Sequence, residues 1–399
     1  VNDDGGNTIE NVNDLQPEIS PKNESIEIYV KNSLETFRLH SKLNFREIPE
    51  ITLDELDDVG EDLGKGGFGL VKAAKWKGNP YALKTLLPPT AIDDGTNFKI
   101  GASDLLKEAE FLSALSHPHI IGIHAKHTTV VSNSFILIDR LYESLSERMI
   151  SWQRDKQKNP NLRKKLQRER IRVVCLGICD ALHYLHNNHN VVFRDLKISN
   201  IGFDQDGIVK LFDFGIAKEL KDNDKSSGKY KLSGKTGSLA YMAPEVAKNW
   251  KYDKKVDVYS FGILLWEIAA LELAFTMYET PERMMQHVWN GEERPTIQPW
   301  WNEDLQCLMK KCWSFFAKSR PEFSIVKETL ERIIDEEERK EEEEKKNQLL
   351  LSAHSLYNSL GFSKIFGENQ KLLLFDRAIS FYFIVSFIVL VTLYFLFQY

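Results

Sequence analysis

The chain has 399 residues, which at roughly 150 residues per domain predicts two to three domains. Hydrophobic residues make up 42% and charged residues 28%, as in a soluble globular protein, and 52 basic residues against 58 acidic ones leave a net charge of −6. That balance excludes a domain-wide basic surface for nucleic acid, and four cysteines exclude a disulfide-rich secreted scaffold. Cys175 and Cys179, four apart in an apolar helical run, read as buried thiols in a reducing compartment rather than metal ligands.

Residues 1–45 are rich in Asn, Asp, Glu and Ser and are expected to be a largely disordered N-terminal segment, too polar to offset chain entropy. Within them Ile28, Val30, Leu34 and Phe37 sit near helical spacing and predict a short helix over 26–39. No signal peptide is visible, and a start at Val1 leaves room for residues before it. A globular block follows, with its domain placed at 46–336. It opens on strands: 70–76 and 81–86 flank a Lys77-Gly78-Asn79-Pro80 turn. It continues in helices, such as 169–187 and 257–271, so a strand-rich lobe precedes a helix-rich lobe. Residues 88–100 and 151–168 read as polar loop insertions.

Gly64-Lys65-Gly66-Gly67-Phe68-Gly69 has the spacing G-x-G-x-x-G. Alone it is a weak signal, since glycine clusters also make ordinary hairpin turns. A dinucleotide-binding fingerprint would lead into a helix; this one leads into a strand. Glycines in a hairpin let the backbone lie close over phosphates. Lys84 follows on an apolar strand, where it is either an edge lysine or one that meets an anion. Glu108 lies on the amphipathic helix 105–112, either solvated or reaching into a cleft.

Arg194-Asp195-Leu196-Lys197-Ile198-Ser199-Asn200 is more specific. It follows the short strand 191–193, and after a turn at 204–207 and the strand 208–212 comes Asp213-Phe214-Gly215. Two carboxylates, a lysine and an amide in this order suit magnesium and phosphate chemistry: hard oxygens take Mg²⁺, and a carboxylate can accept a hydroxyl proton.

With these motifs together, the chain from Leu56 to Ile334 resembles a eukaryotic protein kinase domain. Further matching segments are Ala243-Pro244-Glu245, Asp257-Val258-Tyr259-Ser260-Phe261-Gly262, Cys312-Trp313 and Arg320-Pro321. These last elements, with Leu265-Trp266-Glu267-Ile268, resemble the tyrosine-kinase-like group of Ser/Thr kinases. The resemblance implies an α+β bilobal fold, with a β-rich N-lobe and a helical C-lobe, and an ATP- and Mg²⁺-dependent protein serine/threonine kinase acting on protein substrates.

Carried over residue by residue, it implies that Gly64, Lys65, Gly66, Gly67, Phe68 and Gly69 cover the ATP phosphates. Val71 and Ala82 would also bind the cofactor, the segment Asp139-Arg140-Leu141 would hydrogen-bond adenine through its backbone, and Ile138 would guard the pocket behind it. Lys84 would hold the α/β-phosphates and pair with Glu108. Asp195 would be the catalytic base, Lys197 would neutralise the transferring phosphoryl group, and Asn200 and Asp213 would hold Mg²⁺. Glu245 and Arg320 would form a buried ion pair, and Asp257 would brace the catalytic loop. Two departures stand out. Phe193 replaces the usual His or Tyr but can still pack under Phe214, and Ser238 replaces the usual Thr but keeps its hydroxyl. Lys197 points to Ser/Thr substrates; a dual-specificity kinase and a membrane-tethered pseudokinase scaffold are the alternatives. The segment 216–242 carries Ser226, Ser227, Tyr230, Ser233 and Thr236 among lysines, so phosphorylation there is expected to pair with Arg194.

Residues 337–378 are expected to be a charged helical spacer and juxtamembrane linker. Glu336/Lys340, Glu341/Lys345 and Glu342/Lys346 have the favourable helical orientation, and 349–366 reads either as an interfacial helix or as a loose linker. Ile379–Phe397 is nineteen residues without a charge, fourteen of them Ile, Leu, Val or Phe. At ~1.5 Å per residue it spans ~28 Å, close to the hydrocarbon core of a bilayer. It is expected to be a transmembrane tail anchor, with a pair of buried strands as the alternative. Lys364, Lys371 and Arg377 on its N-terminal side predict a cytosolic catalytic domain. Only Gln398 and Tyr399 follow, so insertion is expected after translation, with the endoplasmic reticulum favoured as the membrane.

Overall fold

The computed structural model describes residues 21–66, 69–87, 96–158, 162–221, 225–226, 229–230, 238–278 and 280–359. The chain divides into two compact units, Val1–Glu331 and Arg332–Tyr399.

The first unit begins with helix α1 (Pro21–His40). A five-stranded antiparallel sheet follows, built from β1 (Asp58–Lys65), β2 (Gly69–Trp76), β3 (Asn79–Leu86), β4 (Ile123–His127) and β5 (Phe135–Asp139) in the order β1-β2-β3-β5-β4. Lys77 and Gly78 both have left-handed backbones (φ 50° and 78°), so β2 and β3 join through a two-residue turn whose twist matches that of the strands. Asn79 and Pro80, predicted as turn residues, instead start β3. Alternation along β3 sets the function of the sheet. Leu83 packs on one face with Trp76, Ala125, Phe135 and Leu137, which leaves Ala82 and Lys84 on the face that lines the cleft. Helix α2 (Thr96–Ala114) packs beside the sheet.

The helical lobe contains β6 (Glu143–Ser144), α3 (Leu145–Lys158), α4 (Arg163–Arg170), a π-helical turn at Ile171–Leu176 and α5 (Gly177–Asn188). Next come β7 (Val191–Val192), β8 (Ile201–Phe203), β9 (Val209–Leu211), β10 (Lys218–Glu219), β11 (Lys225–Ser226) and β12 (Lys229–Tyr230). Helices α6 (Pro244–Ala247), α7 (Lys255–Ala270), α8 (Pro281–Met284), α9 (Glu303–Cys312) and α10 (Phe323–Ser359) complete the described chain. Apolar residues surround α7 on all sides, and every residue from Val256 to Ala270 is buried, so it forms the centre of this lobe. A bilobal arrangement, strand-rich then helical, is therefore present as expected.

Three expectations are corrected. In the segment expected to be largely disordered, the short helix expected over 26–39 is present and longer, α1 over Pro21–His40, with Val30 wholly buried; Ile26, Val30, Leu34 and Phe37 suffice in a polar helix because they meet an apolar face of α2, whereas Ile28 stays exposed. Of 151–168, read as a loop insertion, residues 151–158 end α3 and 163–168 belong to α4, and most of their polar side chains are exposed on these helices; 159–161 lie outside the described residues. Of 88–100, residues 96–100 open α2, and 88–95 lie outside the described residues.

In the second unit the charged stretch is helical, with Glu341 and Lys345 paired at 2.8 Å and Arg332 and Glu336 at 3.1 Å. No described helix is long and apolar enough to cross a membrane, and the run 379–397 lies outside the described residues.

Candidate active site

The first unit has a cleft of about 900 Å³ where the sheet faces the helical lobe. Its lining includes Gly64, Lys65, Gly66, Gly69, Val71, Ala82, Lys84, Glu108, Ile138, Asp139, Leu141, Asp195, Lys197, Asn200 and Asp213, the predicted site residues apart from Gly67 and Phe68, which lie outside the described residues. Residues from four strands, one helix and the segments that connect them thus converge on one cavity.

The glycine segment is the hairpin between β1 and β2: Gly64 pairs with Val71 and Lys65 with Leu70, and Gly66 N–H donates to Gly69 O at 2.9 Å. A Cβ on Gly69 would stand 2.7 Å from Thr85 O, so close approach to β3 requires glycine there. At Gly64 nothing lies within 4 Å, and the missing side chain leaves open space.

Lys84 is not an edge lysine. β3 is the middle strand of the sheet, with Val71 and Ile136 opposite Lys84 on either side. Its Nζ donates to Glu108 Oε2 at 2.5 Å and to Asp213 Oδ1 at 3.1 Å. Burial by itself would lower its pKa, but the charges of Glu108 and Asp213 outweigh that and raise it, so the ammonium is held charged. Glu108 Oε1 also accepts from Phe214 N–H at 3.3 Å, which ties α2 to the segment 213–215. Phe214 is fully buried, and Phe193 meets it edge-to-face at 5.1 Å, so the aromatic replacement at 193 preserves the packing expected of it.

Asp195 collects donors from three directions. Lys197 Nζ and Asn200 Nδ2 donate to its Oδ2 at 2.7 and 2.9 Å, and Ser238 Oγ lies 3.3 Å from Oδ1. The loop is pinned from below by Asp257, whose carboxylate accepts Phe193 N–H and Arg194 N–H at 2.8 Å each and faces His186 Nε2 at 2.8 Å. Arg194 and Asp213 both have left-handed φ, 70° and 71°. Such strained backbone persists only where its surroundings over-determine it; here Asp257 and Lys84 supply the restraint. Arg194 Nε donates to Ile216 O at 2.7 Å. Most of the hydroxyl-rich stretch 222–237 lies outside the described residues.

The donor set fits Mg²⁺. Asn200 Nδ2 is committed to Asp195, which leaves its amide oxygen as a hard ligand, and the Asp213 carboxylate is 43% exposed in the cleft. Among the described residues no group of three or more His, Cys, Asp or Glu could hold a metal by itself. A cation here would depend on phosphate oxygens, the usual habit of magnesium.

Glu245 and Arg320 form the expected buried ion pair, bidentate at 2.5 and 2.9 Å, and Arg320 also donates to Ser314 O and Lys255 O. Asp139 lines the cleft, but its carboxylate is turned to Gly122 N–H and His124 Nε2, both at 2.7 Å. Burial would raise its pKa; these hydrogen bonds and Lys210 outweigh that and hold it below the usual carboxylate range. Its contribution to a ligand is therefore through backbone.

Sequence reasoning missed Asp104, which lines the cleft one helical turn before Glu108 and whose carboxyl is pushed up chiefly by burial, with Asp213 adding to it. The i, i+4 spacing from Glu108 was the available signal. It also missed the link from Glu267 through Tyr241 to the catalytic loop: Tyr241 Oη donates to Glu267 Oε2 at 2.6 Å and lies 3.4 Å from Ile198 N. The expected buried thiols are present at Cys175 and Cys179; Cys312 is buried as well, and Cys307 is exposed.

Comparison with known proteins gives a consistent result. The family profile described as protein tyrosine and serine/threonine kinase matches residues 58–330. The chain is 33% identical over 279 residues to the serine/threonine-protein kinase VIK of Arabidopsis thaliana, an overlap covering 68% of this chain and 58% of that protein. It is 28% identical over 291 residues to the dual specificity protein kinase shkE of Dictyostelium discoideum, covering 72% of this chain and 38% of that protein. With the serine/threonine-protein kinase CTR1 of Arabidopsis thaliana it shares 28% identity over 278 residues, 69% of this chain and 31% of that protein. The chain thus spans between about a third and three fifths of the length of these relatives.

Proposed function

The chain belongs to the protein tyrosine and serine/threonine kinase family, and we propose from its cleft that it transfers the γ-phosphoryl group of ATP to serine and threonine hydroxyls of proteins. The observation that carries this reading is the pairing of Lys84 with both Glu108 and Asp213 in the cleft that also holds Asp195, Lys197 and Asn200.

In this reading the purine lies among Val71, Ala82, Ile138 and Leu141, with the backbone at Asp139–Leu141 as its polar partner. The Gly64–Gly69 hairpin closes over the phosphates. Lys84, kept charged by its two carboxylates, binds the α/β-phosphate oxygens. Asp213 and Asn200 would hold magnesium, which when bound would supply positive charge against the phosphates. Asp195 orients the substrate hydroxyl and accepts its proton. Lys197, 2.7 Å from Asp195, places a positive charge beside the transferring phosphoryl group. Residues 46–336 constitute the catalytic domain in this reading, and the apolar run 379–397 tethers it to a membrane with the catalytic domain in the cytosol. That last element is supported by the length and charge-free composition of the run.

The test is phosphotransfer from Mg-ATP to a generic basic protein, compared between the wild-type chain and Asp195→Asn. Activity in the wild type, lost by about 10²-fold or more in the variant, supports the assignment. A wild type that neither binds Mg-ATP nor transfers phosphate would make it a scaffold. Three relatives, shkE, shkB and shkD, are described as dual specificity kinases, so phosphoamino-acid analysis should include tyrosine; phosphotyrosine in the product would extend the reading to dual specificity.

A further inference from the structure

We propose that Arg38, Ser41 and Arg46, in a segment that precedes the matched kinase region, are positioning residues for phosphotransfer: they hold α2, and through it Glu108, in place against Lys84. The proposal rests on the reading of Lys84 and Glu108 given above.

The catalytic match begins at residue 58. Every contact below comes from residues before it. Asp104 and Glu108 point α2 at the cleft. Ala102, Leu106 and Glu110 are each two residues away, roughly 200° around the helix, and so lie on its opposite side. That side is covered by α1. Val30, with Ile26 and Leu34, packs against Phe98, Ala102 and Leu106. Arg38 forks onto Glu110, with Nε to Oε2 at 2.5 Å and Nη2 to Oε1 at 2.8 Å. Glu110 is only 4% exposed, so this is a charge-assisted, bidentate contact to a buried acid. Beyond α1, Arg46 donates to the carbonyls of Leu112 and Ser113, in the last turn of α2 where carbonyls lack a partner within the helix, and to that of Leu115 just past its end.

A fourth contact reaches a different element. Ser41 Oγ donates to Glu219 Oε2 at 2.6 Å, and Lys42 N–H donates to Oε1 at 2.8 Å. Glu219 is 3% exposed, in β10, which pairs with β7 just before the catalytic loop. The same short segment therefore grips α2 and the chain that leaves Asp213-Phe214-Gly215. Any movement of α2 that lengthens the Lys84–Glu108 contact must shear the Val30 packing and the Arg38 fork, and any movement of β10 must break the Ser41 strap. The N-terminal segment is thus a built-in brace for the two elements whose relative placement assembles the cleft.

The experiment uses the full chain with Arg38→Ala, Ser41→Ala and Glu108→Gln, alone and with Arg38→Ala combined with Glu108→Gln. Three quantities are read: kcat, KM for ATP, and amide hydrogen exchange over 96–114 and 218–220. Arg38 is half exposed, so its removal should leave the fold intact. The expected result is a fall in kcat of about fivefold or more for Arg38→Ala, with a smaller change in KM, and faster exchange in α2; Ser41→Ala should speed exchange at 218–220. In the Glu108→Gln background, Arg38→Ala should cost less than about twofold more, because the brace acts through Glu108. Unchanged exchange in α2 and β10 overturns the proposal whether or not the chain transfers phosphate. Faster exchange with unchanged kcat in an active wild type also overturns it, leaving α1 a purely stabilising element. Faster exchange in a wild type that transfers no phosphate keeps the brace and removes the kinase reading instead.

Discussion

Replacing Glu267 by Gln should abolish a specific loss of stability with rising pH. Glu267 is buried in α7, with Oε1 accepting Ala274 N–H at 2.9 Å and Oε2 accepting Tyr241 Oη at 2.6 Å. Burial raises its pKa, the two hydrogen bonds only partly oppose this, and the group is pushed from 4.5 up to about 7. The folded chain therefore binds this proton more tightly than the unfolded chain. The stability it contributes is fully present below about pH 4.5 and is lost as pH rises to about 7, since the unfolded carboxyl ionises freely and the folded one resists. A difference of about 2.5 pKa units corresponds to roughly 3 kcal/mol in all, of which about 2–3 kcal/mol falls between pH 5 and pH 8. Gln keeps the shape and, with its amide nitrogen toward Tyr241 Oη, keeps a hydrogen bond on both sides. Urea unfolding of wild type and Glu267→Gln, followed by tryptophan fluorescence across this range, reads the difference directly. The wild type should lose about 2–3 kcal/mol relative to the variant as pH rises. Parallel curves would refute the reasoning, for they would mean that the folded protein ionises Glu267 as easily as the unfolded chain does. Because Tyr241 Oη also lies 3.4 Å from Ile198 N, the same titration should loosen the catalytic loop, visible as faster amide exchange near Ile198 above pH 7 in the wild type only.

Arg320→Ala should destabilise the protein by about 3–5 kcal/mol, because it leaves the Glu245 carboxylate buried without its partner; a thermal midpoint within a degree or two of wild type would contradict this. Asp213→Ala should weaken Mg-ATP binding, whereas Asp195→Asn should leave binding nearly intact and lower turnover, and calorimetric titration with Mg-ATP beside a rate assay separates the two. A Ser233→Ala, Thr236→Ala double variant is expected to lose most activity if phosphorylation of the 216–242 segment switches the enzyme; full activity, or no phosphate on this segment by mass spectrometry, would count against the switch. After alkaline carbonate extraction the full chain should remain with membranes, and a chain ending at Gln370 should be soluble and still active; a soluble full chain would end the anchor reading.

What was legible in the sequence was whatever lies within a few residues of itself. Asp195, Lys197 and Asn200 sit within one loop, and their mutual hydrogen bonds need little beyond the local backbone path. The hairpin of Gly64–Gly69 follows from glycines between two strand-forming runs, and the burial of α7 follows from apolar residues on every side of a helix. Cys175 and Cys179 are buried because their helical run is apolar.

The sequence by itself thus determined the chemical inventory, the succession of a strand-rich part and a helical part, and the family. Tertiary structure decided which groups meet. Lys84 could be an edge residue or a central one until β5 paired along the second side of β3, because strand order is set by contacts between segments far apart in the chain. The Lys84 contact to Asp213 spans 129 positions, Arg38 to Glu110 spans 72, and Ser41 to Glu219 spans 178. Periodicity carries no information on such pairs. The same limit explains why residues 1–45 read as largely disordered although a helix over 26–39 was legible in the spacing: the composition is poor in apolar residues, and only the complementary face of α2 makes those few sufficient. The Asp139 carboxylate turned away from the cleft for a similar reason. His124 and Gly122 on a neighbouring segment offered it hydrogen bonds, and a buried carboxylate takes the orientation that satisfies it.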